Sequence, residues 1–184
     1  MIPFRLRRET ACMVMVDVQD RLLPAISGAE EIRRNTVKLA TAARVLSVPF
    51  VYTEQYPRGL GPTDGEILAA LPEGAPRMEK NTFSCCDEAA FEELLQGTGR
   101  PVPVIFGIET HICILATVLD LLEKGRKVVL ASDACGSRDP LKAERALSAM
   151  ASAGALVVPV ESVIYHLMGR SGTPEFKELL PLFK

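Results

Sequence analysis

The chain has 184 residues, 48% hydrophobic and 24% charged, with 21 basic against 23 acidic side chains and a formal net charge of -2. This is enough for one substantial core, and we read a single ordered domain over residues 1–184. A pI near 5.8 speaks against a nucleic-acid partner, no apolar run approaches the roughly 20 residues of a membrane-spanning helix, and "MIPFRLRRET" turns polar where a secretory signal would become apolar, so the expectation is a cytoplasmic protein, an organelle such as the mitochondrion being compatible.

Short apolar runs alternate with helical patterns along the chain, the rhythm of βα units feeding a parallel sheet. "ACMVMVDV" (11–18) is a continuous apolar run closing on an acid, as expected of a strand buried on both faces. "AEEIRRNTVKLATAARVLS" (29–47) carries an apolar stripe opposite its charges and predicts a helix, and "VPFVYTE" (48–54) a second strand. The prolines and glycines of 55–62 predict an irregular loop. A short helix in "DGEILAAL" (64–71), a brief third strand in "RMEKN" (77–81) and a helix in "DEAAFEELLQG" (87–97), with acids first and glycine last, follow. "VPVIFG" (102–107) predicts strand four, "ICILATVLDLLEKG" (112–125) a helix, "KVVLASDA" (127–134) strand five, and "DPLKAERALSAMASAG" (139–154) a helix capped by Asp, Pro and Gly. "ALVVPVESVIYHLMG" (155–169) holds strand six and another helix, and "TPEFKELLPLF" (173–183) a last short one. The fold class is therefore α/β, a three-layer αβα sandwich on a six-stranded, mainly parallel sheet.

Five cysteines, at 12, 85, 86, 113 and 135, are an odd number without a C-x-x-C pair, which predicts reduced thiols rather than a disulfide framework or zinc ribbon. Two histidines, His111 and His166, leave little for a His-based metal site, and no G-x-G-x-x-G follows the first strand, so neither metal nor cofactor is expected. Cys113 stands in the first turn of a predicted helix just after a strand, where unpaired N–H groups favour an anion and lower a thiol pKa; equally, cysteine there can be a small apolar packing residue. Asp17 ends an otherwise apolar strand at the rim where open α/β sheets bind ligands, and reads either as a desolvated base or as a turn cap. Lys80 follows the third strand and reads either as a surface charge or as a cation serving an acid and a thiol.

The segments "VMVDVQ", "MEKNTFSC" and "FGIETHICILAT" occur in the order and at the approximate separations seen in the isochorismatase-like cysteine hydrolases, which the chain resembles from about Ala11 to its C-terminal helices. The resemblance implies a Rossmann-type topology and a catalytic triad of Asp17, Lys80 and Cys113, in which the acid takes the thiol proton, the cysteine attacks a carbonyl carbon and the lysine holds the acid and favours the thiolate. It also implies a non-proline cis peptide at Ile108–Glu109, an oxyanion hole from the backbone N–H groups of Glu109 and Cys113, and assembly into dimers or larger homo-oligomers. The activity implied is hydrolysis of a C–N bond in a small amide or imide, with a small molecule as partner and no nucleic acid or membrane. Metal-dependent nicotinamidases of similar fold carry Asp-x-His after the second strand, whereas "YTEQYPRGLGPT" has no histidine, and true isochorismatases lack the cysteine. A catalytically silent or redox-sensing protein on the same fold is the alternative. Gln19, Gln55, Tyr56, Phe83 and Thr110 follow strand ends and are candidates to line a substrate pocket. His111, two positions before Cys113, is read as a helix-entry or pocket residue rather than a base.

Overall fold

The computed structural model describes residues 4–184. Its centre is β1 (Ala11–Val16), six residues without an exposed side chain. On one side β1 pairs with β2 (Phe50–Gln55), and β2 with β3 (Arg77–Lys80). On the other it pairs with β4 (Val102–Ile108), followed by β5 (Val129–Gly136) and β6 (Leu156–Val158). The order is β3-β2-β1-β4-β5-β6, and every pairing is parallel rather than mainly so.

Helices cover both faces. α1 (Ala29–Leu46) buries Ile32, Leu39, Ala43 and Leu46. It packs against β5 and meets α3 (Gly65–Ala70), α7 (Val160–Met168) and α8 (Pro174–Leu179) on one face. α4 (Ala89–Gly97), α5 (Leu115–Glu123) and α6 (Pro140–Ala153) form the other layer. The C-terminal apolar segments close on α1 of the same chain, where Tyr165 stacks edge-on to Phe176 and at 5.5 Å from Phe183, with Lys38 over the Phe183 ring.

Several boundaries differ from the sequence expectation for local reasons. β1 stops at Val16 instead of residue 18 because Asp17 adopts φ 56, a left-handed conformation in which no strand continues. The expected loop at 55–62 contains Gln55 as the end of β2 and then a helical turn, α2 (Pro57–Leu60), started by Pro57 with its φ preset for a first helical position. β5 runs from Val129 to Gly136 rather than 127–134, its register against β4 slipping between Ile105 and Gly107. The helix expected at 112–125 begins as a π turn over Thr110–Ile114, with Ile114 N–H reaching Glu109 C=O at 3.3 Å, and only then becomes α5. The helix expected at 87–97 likewise opens with a 3-10 turn over Cys85–Asp87.

β1 and β4 are the neighbours from which the chain winds outward in opposite directions. In open α/β sheets the crevice above the carboxyl ends of such a pair is the ligand position. Asp17 and the turn carrying Cys113 leave those two ends.

Candidate active site

Asp17 is fully buried where β1 ends. Thr53 Oγ1 from β2 donates to its Oδ1 at 2.6 Å. Lys80 Nζ lies 2.7 Å from its Oδ2. Lys80 is the last residue of β3, whose alternation of exposed and buried positions turns it inward. Its ammonium also donates to Gln55 Oε1 at 2.6 Å and to the backbone oxygens of Thr82 and Phe83 at 3.2 and 3.4 Å. Burial works against the charged lysine, but the Asp17 carboxylate, with the Cys85 and Cys113 thiols, outweighs it and holds the ammonium above its ordinary pKa.

Cys113 is 7% exposed within the π turn. Burial first, then the negative charge of Asp17, push its thiol from 9.0 up to about 11, with Lys80 pulling the other way. This corrects the expectation of a lowered thiol pKa. A helix start contributes at most a fraction of a charge, whereas here the thiol is desolvated beside a full carboxylate. At neutral pH the thiol is protonated, and both ends of the ion pair act on it.

The Ile108–Glu109 peptide is cis. No backbone hydrogen bond from the Glu109 N–H occurs among the described residues. The Glu109 side chain turns to the other side, accepting from Arg138 Nε at 3.1 and 3.2 Å and from the Arg138 backbone N–H at 2.9 Å, so it ties β4 to the end of β5. His111 Nδ1 is 2.9 Å from Ser137 Oγ, which also receives the His111 backbone N–H, and the imidazole is thereby held against β5's exit.

The five residues expected to line a pocket separate into groups. Gln19 is fully buried and spent on the backbone: its amide donates to the oxygens of Gln55 and Gly61 at 3.0 and 2.7 Å and accepts the Gln55 N–H at 2.8 Å. Gln55 faces Lys80. Its Oε1 accepts from Lys80 Nζ and its Nε2 donates to Asn81 C=O, so both glutamine side chains tie the loops at the strand ends together. Tyr56 and Phe83 are exposed, at 55% and 64%, and stand at the rim. Thr110 is fully buried with a hydroxyl that has no hydrogen-bond partner. A hollow of about 590 Å³ lies at the opposite end of the sheet, between the starts of β2 and β3 and α4. It contains none of the groups just described and takes no part in the site.

With this geometry in place, comparison with known proteins decides the family. A family model described as the isochorismatase domain matches residues 11–162. The chain belongs to the isochorismatase family. Isochorismatase domain-containing protein 2A of Mus musculus is 36% identical over 181 residues, covering 98% of this chain and 85% of that one. The structure of MAR1 ribonuclease from Caenorhabditis elegans superposes with a TM-score of 0.92 at 35% identity, covering 98% of this chain and 92% of that one. That of YcaC from Pseudomonas aeruginosa, with hexane-2,5-diol and covalent acrylamide, gives a TM-score of 0.90 at 26% identity over 97% and 91% of the two chains.

Two groups at this isochorismatase-family site escaped the reading of the sequence. Cys85 is fully buried and acts on Lys80 alongside Asp17; its thiol is driven up to about 12 by burial and then by Asp17. Glu54, buried at the end of β2, accepts the Thr63 N–H and Oγ1 at 2.7 and 2.9 Å and pairs with Arg77 at 2.9 Å, fixing the loop beside Gln19. The signal for Glu54 was the same as for Asp17, an acid closing an apolar strand. Among the described residues no group of His, Cys, Asp or Glu is placed to hold a metal ion.

Proposed function

We propose that this isochorismatase-family hydrolase is cysteine-dependent and cleaves a C–N bond of a small amide or imide through a thioester on Cys113. The observation that carries the reading is the wholly buried Asp17–Lys80 pair, 2.7 Å between Oδ2 and Nζ, acting on the Cys113 thiol in the turn that leaves β4. A base paired with a nucleophile and oriented by a third group is the general arrangement for covalent catalysis.

A thiol near pKa 11 does not attack as a preformed thiolate. Asp17 removes its proton as the sulfur bonds to the carbonyl carbon, while Lys80 keeps a positive charge beside the carboxyl so that it is free to accept. The C=O electron pair moves to oxygen, where the N–H groups of Glu109 and Cys113 are the donors for the oxyanion. When the oxyanion collapses, the C–N bond breaks and the departing nitrogen takes the proton from Asp17. Water then attacks the thioester, gives a proton to Asp17, and the carboxylic acid leaves as that proton returns to sulfur. Lys80 keeps its proton throughout, as expected of an ammonium that the Asp17 carboxylate beside it holds above its ordinary pKa against the effect of burial.

A nucleophile 7% exposed admits small molecules and keeps a polymer at a distance. For that reason the ribonuclease name of the C. elegans neighbour is not carried over. The covalent acrylamide on YcaC supports a thiol reading, since acrylamide is an acceptor to which thiols add. A homo-oligomer, dimer or higher, belongs to the same reading, with exposed Phe83, Leu119 and Leu141 as candidate contacts; light scattering decides it. The activity test is ammonia release from a panel of small amides and imides, with RNA as a control. Turnover of at least one amide, lost in Cys113→Ala and with RNA intact, is expected; full activity in Cys113→Ala overturns the assignment.

A further inference from the structure

Gln55 has its backbone and its side chain engaged in different tasks. The backbone N–H and C=O are clamped by the Gln19 amide, which is itself fixed to Gly61, so the end of β2 cannot shift relative to the end of β1. The side-chain amide is oriented from one end by donating its Nε2 to Asn81 C=O at 3.0 Å. That leaves one outcome at the other end, Oε1 aimed at Lys80 Nζ at 2.6 Å, the shortest of the four contacts the ammonium makes. A flipped amide would set two donors against each other at Lys80 and two acceptors at Asn81.

We propose that Gln55 is a positioning residue of the catalytic machinery, a neutral acceptor that holds the Lys80 ammonium against Asp17 and Cys113 without neutralising it. The inference rests on the cysteine-hydrolase reading above, and it replaces the expectation that Gln55 touches substrate. Four acceptors surround three N–H bonds: the carboxylate of Asp17, two backbone oxygens and the Gln55 amide. Only Asp17 carries charge, so the positive field of Lys80 stays directed at the acid and the thiol. A carboxylate in place of the amide would compete with Asp17 for the ammonium and add a negative charge at a buried site, where charges are screened little. A hydrocarbon in its place would remove the shortest of these contacts and leave the ammonium to Asp17 and to two longer backbone contacts, which loosens its aim at the acid and the thiol.

The test uses two variants and two readouts. Gln55→Glu keeps the size and the contact to Lys80 but adds charge; Gln55→Leu removes the acceptor. For turnover of an accepted amide, both variants lower kcat by about 10-fold or more with KM within about twofold, and in Gln55→Glu the acid limb of the pH profile moves to higher pH. Independently of turnover, iodoacetamide labelling of Cys113 at pH 9 slows by at least about fivefold in both, because the thiolate loses part of the field that stabilises it. The labelling readout holds even where no amide is turned over, which separates this inference from the hydrolase reading. Labelling at the wild-type rate in folded Gln55→Glu, or a change confined to KM, would overturn it. The near-isosteric Gln55→Glu protects the test against Gln55→Leu failing to fold.

Discussion

Asp17 and Lys80 are oppositely charged, fully buried and 2.7 Å apart, and each is the main compensation for desolvating the other. Removing one charge strands its partner, which typically costs about 3 kcal/mol or more. Asp17→Asn is therefore expected to lose both turnover and about that much stability in chemical denaturation, and Asp17→Asn with Lys80→Met to regain most of the stability but none of the turnover. The Cys113 thiol supplies a second residue-scale outcome. With its pKa pushed up to about 11 by burial and Asp17, iodoacetamide labelling should keep rising with pH beyond 9, whereas a plateau near neutrality would mean a preformed thiolate. Position alone left two readings open for each of Asp17, Lys80 and Cys113, and only the resemblance to the family grouped them; the structure brings Asp17 and Lys80 to 2.7 Å. The protonation state of Cys113 was not legible, since the helix-start argument sees only the dipole and not the carboxylate brought alongside from another strand. The internal partners of Gln19 and Gln55 were not legible for a similar reason: they are backbone atoms and a lysine distant in sequence.

At the scale of elements, the site depends on how closely β4 approaches β1. Gly107 pairs with Val16 at φ 125, and a Cβ added there would stand 2.1 Å from the Val16 backbone oxygen. Backbone inside a paired strand cannot give way, so Gly107→Ala should spread β1 from β4, at a cost of at least about 2 kcal/mol in denaturant unfolding, and separate Asp17 from the Cys113 turn. A stable variant with full activity would show that this approach is dispensable. The strand-helix alternation was readable because buried strands are short apolar runs and the α6 helix carries its caps in sequence, with Asp139 accepting the Leu141 N–H and Gly154 at φ 118 after its last residue. The π turn over Thr110–Ile114 was not, because its residues continue a helical apolar pattern and only the i to i−5 bonding distinguishes it.

For the whole molecule, the doubly wound order β3-β2-β1-β4-β5-β6 places the β1–β4 crevice at the middle of the sheet, and the thiols are buried around that core. Burial raises Cys12 and Cys113 to about 11 and Cys85 and Cys135 to about 12, from 9.0. The folded state thus binds these protons more tightly than the unfolded chain, and the stability this represents is complete below about pH 9 and is lost as pH rises through 11 to 12. Denaturation midpoints measured from pH 8 to 11 should fall by an amount equivalent to a few kcal/mol, and replacing Cys135 with alanine should flatten the decline. Parallel strand order was foreseeable from the βα rhythm, but only assembly of the sheet reveals which strand ends share the crevice. The most direct test of the account is rapid-quench intact mass spectrometry of the protein during turnover of an amide. A transient mass increase equal to the acyl group, mapped to Cys113 and absent from Cys113→Ala, is predicted; turnover continuing in Cys113→Ala, or an acyl group on another residue, would contradict it.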